Sequence, residues 1–400
     1  MKSIKRYFAG LSRNTILLAL ASLFADISTE MLYPIFPIFL TQTLMANGSI
    51  VGLIEGIAQA TQNISQGYSG WLSDKLRKRK SITLIGYLLA AIAKPLVGIS
   101  TIWPTVLSAR LLDRFGAGIR SAPRDALIAA SVSKTNRGKA FGLEGIGDNL
   151  GAFLGPLLAI LLLLLMRMDI RHIFYLAVIP GLLAFFMVTL VKEKKISVTE
   201  KSKINFDPGK FPKIYWKYLL ITALFGIGNS SNAFLLLQTQ SIGVSLVTTI
   251  LIYAGFNLVA ALISYPAGFF ADKFGKRNIL LLSFIIFIIT YFGFALAQNI
   301  ILIAVFFIFY GLYQGIFRTV GKALAIDFVP EQLHASGIGW YSTTIGLLQL
   351  VASIVAGLLW DYVNHAAVFF YGAGFAIVGS LAMLFLIPQD RAKTNYKYDL

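Results

Sequence analysis

Asp26 and Glu30 stand four residues apart in the apolar stretch ADISTEMLYP. That spacing puts both carboxyls on one face of a helix. Arg110, Asp113 and Arg114 share a face in the same way, and Glu144 and Asp148 repeat the four-residue step. Glu55 leads a polar stripe of Gln59, Gln62, Asn63 and Gln66 at helical period, and Lys94 precedes Pro95. All of these interrupt runs of apolar residues. A carboxylate that alternates between dry and wet surroundings, or between near and far from a guanidinium, loads and releases a proton. The chemistry on offer is proton binding and charge pairing. Asp26 is the first candidate proton carrier and Glu30 the second, with Arg110, Asp113 and Arg114 as the charges that modulate them.

Bond-breaking chemistry has little support. There is no Cys, which removes disulfides, thiolate metal sites and cysteine nucleophiles. The three His (His172, His334, His365) sit near the ends of apolar runs, so an imidazole metal cage or a His-based triad is not expected. No catalytic residue and no metal ligand is assigned, and the chain is not read as an enzyme. The absence of a nucleotide-binding motif argues against an ATP-driven pump. No cofactor is expected beyond a proton gradient as energy source.

These groups must be positioned by helices in a bilayer. The 400 residues are 57% hydrophobic and only 13% charged, against roughly 25% charged in a soluble chain. Twelve apolar stretches of spanning length are predicted at 14–40, 49–73, 81–100, 103–130, 140–165, 170–191, 215–239, 246–271, 279–298, 301–327, 336–360 and 366–388. The fold class is therefore an all-α polytopic membrane protein. Residues 1–191 form one six-helix bundle, 192–213 a cytoplasmic linker, and 214–400 a second six-helix bundle with a short tail.

The net charge of +17 could suggest nucleic acid, but the basic residues fall in alternate short loops. The amino-terminal arm, the 75–80 loop, the 120–139 junction, the linker, the 276–277 loop and the tail from Arg391 are basic, whereas the other side offers only Arg167 and Arg171. By the positive-inside rule both termini are cytoplasmic, in a multi-pass protein of the bacterial inner membrane. The five Trp fall near span ends, where an interfacial belt places them. The expected partners are a lipid bilayer and a small-molecule substrate, with no nucleic acid, in a monomer.

The chain repeats itself. GWLSDKLRKRK (Gly70 to Lys80) is echoed by GFFADKFGKRN (Gly268 to Asn278), so that Gly70 and Gly268, Asp74 and Asp272, and Arg79 and Arg277 each lie 198 residues apart. Arg120 and Arg124 are followed at the same interval by Arg318 and Lys322. Two parallel halves suit a transporter that rocks around a central site.

Gly70, Leu72, Asp74, Lys75, Lys78 and Arg79 resemble the G-x-L-x-D-[RK]-x-G-[RK]-[RK] signature of the major facilitator superfamily, with Arg77 where the family has Gly. The copy at 268–277 keeps the Asp, Gly275 and the basic pair. GAFLGP (Gly151 to Pro156) is similar to G-x-x-x-G-P-x-x-G-G of the drug:proton antiporter branch, with Ala159 and Ile160 in place of the last glycines. LSARLLDRFGAG (Leu107 to Gly118) is similar to that branch's helix-4 motif, though the step from Arg110 to Gly116 is longer. The wider ARLLDRFGAGIRSAPRDALIA segment looks like one in a mostly uncharacterised bacterial subgroup.

The resemblance implies alternating access between two bundles, with helices 1, 4, 7 and 10 lining the pathway. It puts Asp26, Glu30, Arg114 and Asn229 there; Glu55, Gln59, Asn232 and Gln314 complete the expected substrate pathway. Gly70, Asp74, Arg79, Arg124, Glu144, Asp148, Gly268, Asp272 and Arg277 are the expected gate, with Asp74 switching between a helix dipole and an Arg such as Arg124. Gly151 and Gly155 are expected to let helices pack closely, and Pro34, Pro37, Pro95, Pro156 and Pro266 to kink them. The function so implied is secondary active transport of a small organic solute, by proton-coupled export. Proton-coupled import and a non-transporting receptor on the same scaffold are the alternatives.

Overall fold

The computed structural model describes residues 11–76, 78–133, 137–193, 209, 211–330 and 334–388. Among them the regular structure is helical throughout, with a helix at each of the twelve expected positions. These are α1 (Arg13–Glu30), α2 (Gly48–Leu76), α3 (Arg79–Ile99), α4 (Trp103–Ser131), α5 (Arg137–Leu164), α6 (Ile170–Leu176 continued by Val178–Thr189), α7 (Lys213–Gly228, then Ala233–Ser241), α8 (Leu246–Phe274), α9 (Lys276–Leu296), α10 (Ile300–Asp327), α11 (His334–Tyr362) and α12 (His365–Leu386). Nine of these positions hold a helix, counting the two pieces of α6 and of α7 together, that is long and apolar enough to cross a membrane among the described residues. The other three are α1, α2 and α4. They carry Asp26, the Glu55–Gln66 stripe and the Arg110–Asp113–Arg114 group, so the residues that dilute their hydropathy are the ones singled out for chemistry.

Lipid-facing surface follows helical period. On α3, Ile85, Ile92, Leu96 and Ile99 are exposed, while Tyr87, Ala90, Ala91 and Lys94 are buried. Backbone amides and carbonyls find partners inside each helix, which is what a hydrocarbon solvent demands. Pro95, Pro156 and Pro266 lie inside continuous helices. Pro34 and Pro37 act more strongly: α1 ends at Glu30, and the chain passes through a turn and the short helix Phe36–Ile38 into a π-helical turn at Phe39–Thr43.

By packing the chain divides into two compact units, 1–36 with 61–202 and 37–60 with 203–400. The expected linker lies mostly outside the described residues. The helix α2 contributes to both units. A Cβ on Gly52 would fall on the Ser353 carbonyl, and one on Gly56 would meet the Leu350 backbone at 3.1 Å. Gly48, Gly52 and Gly56, one turn apart, thus let the start of α2 lie directly on α11. Further along, Gly118 of α4 approaches the Gln62 carbonyl of the same helix.

In the first unit, α1 lies against α5 along a second glycine strip. A Cβ on Gly147 would come within 2.6 Å of the Ala19 carbonyl, one on Gly151 within 2.6 Å of the Asp26 Cβ, and one on Gly155 within 2.8 Å of the Met31 amide. Close packing at Gly151 and Gly155 is as expected, and it brings Asp26 onto α5.

Candidate functional site

Two charge clusters occupy the first unit. One is built on Asp113 of α4. Its Oδ1 accepts from Lys94 Nζ at 3.1 Å, and its Oδ2 from Arg110 Nη1 at 3.3 Å and from Arg114 Nη2 at 2.6 Å and Nε at 2.9 Å. Lys94, Arg110 and Asp113 are buried, and Arg114 is nearly so. Arg114 also reaches Gln62 Oε1 of α2 at 3.1 Å. The Arg110 guanidinium lies over the Phe36 ring at 4.6 Å. Beside these groups is a cavity of about 10 Å³, room for about one water, walled by Thr29, Phe36, Val97 and Phe174.

The second cluster is built on Arg124, further along α4. Its Nη2 lies 2.6 Å from Glu144 Oε1 and 3.0 Å from Asp125 Oδ1, and its Nη1 donates to Ser22 Oγ at 2.8 Å and lies 4.0 Å from Asp148 Oδ1. Ser22 in turn donates to Glu144 at 3.2 Å, tying α1 to α5. The charged groups acting on Asp26 are Asp148, Arg120, Glu30 and Arg124. Asp26 therefore belongs with the Arg124 cluster, set by the glycine strip, while Arg110, Asp113 and Arg114 form the other one. Arg120 lies over the Tyr87 ring at 4.3 Å.

Spacing alone did not find Lys94 as the fourth member of the Asp113 group; the signal was there in the cost of an ammonium at membrane depth. It also did not find Ser22, Asp125 and Arg120, whose roles depend on which helices touch.

In the second unit the site is a break in α7 between Gly228 and Ala233. Short polar side chains compete with the helix for its own backbone groups there. The Ser231 amide donates to Ser353 Oγ at 3.1 Å, and Ser231 Oγ accepts from the Ala233 amide at 3.2 Å. Tyr310 donates to Asn232 Oδ1 at 2.8 Å. Tyr313 pairs with Asn229, and Tyr291 with Ser230 and Tyr310. A non-helical turn at this depth is tolerated because protein surrounds it. The wall is aromatic: Tyr291 stacks on Phe287 at 3.9 Å and Phe225 on Phe284 at 4.1 Å. Sequence composition pointed to Asn229 and Asn232 but not to Tyr313 and Tyr310, which hold them.

The remaining expected residues are dispersed. Glu55 is buried on α2, in the part that packs with the second unit, with Gln59 one turn on. Gln314 pairs along α10 with Arg318, its amide oxygen accepting from Nη2 at 2.6 Å once the amide is oriented for it. Gly70 and Asp74 lie in the last turns of α2, and Asp272 in the last turn of α8. The side chains of Asp74 and Asp272 lie outside the described residues, as does Arg77. Arg79 opens α3, where its amide and that of Lys80 donate to the Glu193 carboxylate at 2.9 and 3.2 Å. Gly268 has only the Thr319 methyl nearby, at 3.8 Å from an added Cβ. Gly275, with φ of 90°, makes the turn of the second loop where L side chains are strained. The Arg277 side chain is buried and donates to the Leu384 carbonyl at 2.9 Å, joining α9 to α12. Among the described residues no group of His, Cys, Asp or Glu is arranged to hold a metal.

Comparison with known proteins fits this architecture. The family model of the Major Facilitator Superfamily matches residues 18–228 and 218–399. The chain is 33% identical over 383 residues to an uncharacterised MFS-type transporter, MJ1317, of Methanocaldococcus jannaschii, covering 94% of this chain and 95% of that protein. It is 25% identical over 380 residues to the quinolone resistance protein NorA of Staphylococcus aureus strain MRSA252, covering 90% and 92%. Among solved structures, a D323A mutant of the nucleoside transporter NupG superposes with a TM-score of 0.78 at 15% identity, covering 94% of this chain and 100% of that one. A D-xylose-proton symporter gives 0.73 at 14% identity, covering 96% and 99%. With both halves matched by the family model and a close transporter relative along nearly its whole length, this chain belongs to the Major Facilitator Superfamily.

Proposed function

We propose that this transporter exports a small organic solute across the bacterial inner membrane in exchange for protons, by alternating access between its two halves. The observation that carries the reading is Asp26, packed at Gly151 on α5 with Asp148, Arg120, Glu30 and Arg124 as its charged neighbours. Two carboxylates that share a site repel each other unless one holds a proton, and nearby guanidinium groups reverse that preference when they approach. Asp26 carries the proton in this reading, and Asp148 and Arg124 set when it leaves. Glu144 and Asp125 keep Arg124 in place.

The broken α7 supplies the hydrogen bonds and apolar wall of the solute pathway, through Asn229, Asn232 and Tyr310. NorA is named for quinolone resistance, which supports the outward direction. The termini face the cytoplasm, the working unit is a monomer, and the proton gradient is the energy source with no bound cofactor. The chain performs no catalysis.

The test is Asp26→Asn in proteoliposomes, using a solute found by ligand-stabilisation screening of the purified protein. Proton-driven transport is lost while the folded protein still binds the solute. Undiminished coupling in the variant sinks the assignment, and solute accumulation inside inverted vesicles only against the expected gradient points to import.

A further inference from the structure

The third helix of each half opens in the same way. Both α3 and α9 are 21 residues long, and each residue of α9 stands 197 after its counterpart in α3. The helices before them, α2 and α8, stand 198 apart, because the second loop is one residue shorter and turns at Gly275. Each helix begins with a pair of cations, Arg79 and Lys80 in α3, Lys276 and Arg277 in α9. A helix start is the positive end of its dipole, the wrong place for a cation without a counter-charge. In both, the second cation reaches the last turn of the sixth helix of its half. Lys80 Nζ donates to the Thr189 carbonyl at 2.7 Å, and Arg277 Nη2 to the Leu384 carbonyl at 2.9 Å.

The two starts differ in what meets their first amides. In α3 the amides of Arg79 and Lys80 donate to the Glu193 carboxylate. No side chain caps α9, and among the described residues nothing accepts from the amides of Lys276 and Arg277. Arg277 is 7% exposed, and its Nε is buried without a partner. Lys276 Nζ is taken up by Asp327. Two unused amides and an orphaned guanidinium nitrogen are a donor set for one oxyanion.

We propose that the start of α9 is the receptor for the carboxylate of Asp390, in the tail after α12. Asp390 lies outside the described residues, which end at 388. Glu193 stands four residues past Thr189, the end of α6, and Asp390 four residues past Leu386, the end of α12. The acid therefore recurs at the same interval of 197 as the helix that needs it. The reach is short, because Arg277 already bonds the last turn of α12. Beyond Asp390 the tail is basic, with Arg391, Lys393 and Lys397, until Asp399. The clasp gives the basic pair of the second signature loop its counter-charge and ties α12 to α9, as Glu193 ties the end of α6 to α3.

The purified full chain in detergent tests this without any gradient or solute. Asp390→Ala lowers the unfolding temperature by roughly 2 °C, the shift of one lost helix cap, whereas Asp399→Ala in the same tail leaves it unchanged. Amide hydrogen exchange in the peptide covering 275–280 speeds up in Asp390→Ala and not in Asp399→Ala. Inorganic phosphate fills the vacated receptor, so it stabilises Asp390→Ala more than the parent, and Arg277→Gln removes that difference. Unchanged exchange at the start of α9 in Asp390→Ala overturns the proposal. So does equal stabilisation of the parent and Asp390→Ala by phosphatidylglycerol that is lost in Arg277→Gln, which would make a lipid headgroup the occupant. The Asp26→Asn transport result is independent of all of these.

Discussion

The carboxylate of Asp361 caps the start of α2: its Oδ1 accepts from the Gly48 amide at 2.8 Å and its Oδ2 from the Ser49 amide at 2.7 Å. An acidic side chain from the end of α11 thereby satisfies two of the orphan donors of α2 and meets the positive end of its dipole. The helix α2 is 29 residues long, about 43 Å, so this contact lies at the opposite end from the signature loop. Asp361→Ala removes the cap and costs about 1 kcal/mol. Thermal unfolding of the purified protein measures it, and no fall in the midpoint counts against the cap. Because the chain has no Cys of its own, Ser49→Cys with Asp361→Cys reports the same contact by disulfide formation on a clean background.

Arg124 is held by three helices' worth of partners: Asp125 on its own helix, Ser22 of α1 and Glu144 of α5. Arg124→Gln strands Glu144, which is buried, and a lone buried charge costs roughly 3–5 kcal/mol. Glu144→Gln on top of it removes the stranded charge and restores most of the loss. A double-mutant cycle on thermal stability checks this. Additive losses would mean that the two side chains do not interact.

How much of this was legible in the sequence depends on the kind of information required. Apolar run length and basic loop placement are local properties, so the positions of all twelve helices could be read directly. The intrahelical face shared by Arg110, Asp113 and Arg114 could be read as well. Which helix lies against that face could not: Asp26 and Arg114 are equally plausible partners on periodicity, and only the Gly147–Gly151–Gly155 strip decides that Asp26 lies on α5. Close packing at Gly151 and Gly155 is legible in the sequence, but Gly147 and the consequence for Asp26 need the register between two helices. The assignment of residues 37–60 to the second unit has the same origin, in Gly48, Gly52 and Gly56 meeting α11. Lys94 was legible as a cost without a partner, because Asp113 lies on the next helix at a register that no spacing rule encodes.

The strip itself is testable. A Cβ at Gly151 would meet Asp26 Cβ at 2.6 Å and the Leu23 carbonyl at 2.7 Å, neither of which is the free end of a flexible side chain. Gly151→Val forces α1 and α5 apart and costs about 1–3 kcal/mol by overpacking. It also moves Asp26 away from Asp148 and Arg120, so in the reading of Asp26 as the proton carrier, proton-coupled transport falls further than the loss of folded protein explains. Gly145→Ala is the control on the same helix, since a Cβ there meets nothing within 4 Å. Equal effects of the two substitutions on coupling would separate Asp26 from its setting on α5.

The hydroxyl of Tyr310 holds Asn232 at the resumption of α7, and Tyr310 is itself packed among Phe256, Tyr313 and Tyr291. Tyr310→Phe keeps the ring contacts and removes the one donor. Asn232 Oδ1 then lacks that partner, at a cost of about 1–2 kcal/mol if nothing replaces it. In the reading of α7 as the solute pathway, the larger effect falls on solute affinity, because the amide is no longer oriented. Asn232→Ala removes the amide that the hydroxyl orients, so the double variant should add little to the affinity loss of Asn232→Ala alone. Solute binding measured by thermal shift across the four proteins of this cycle gives the coupling between the two groups. A coupling near zero, with both single variants binding as the parent does, would leave the α7 break as a structural feature of the helix and take Asn232 out of the pathway.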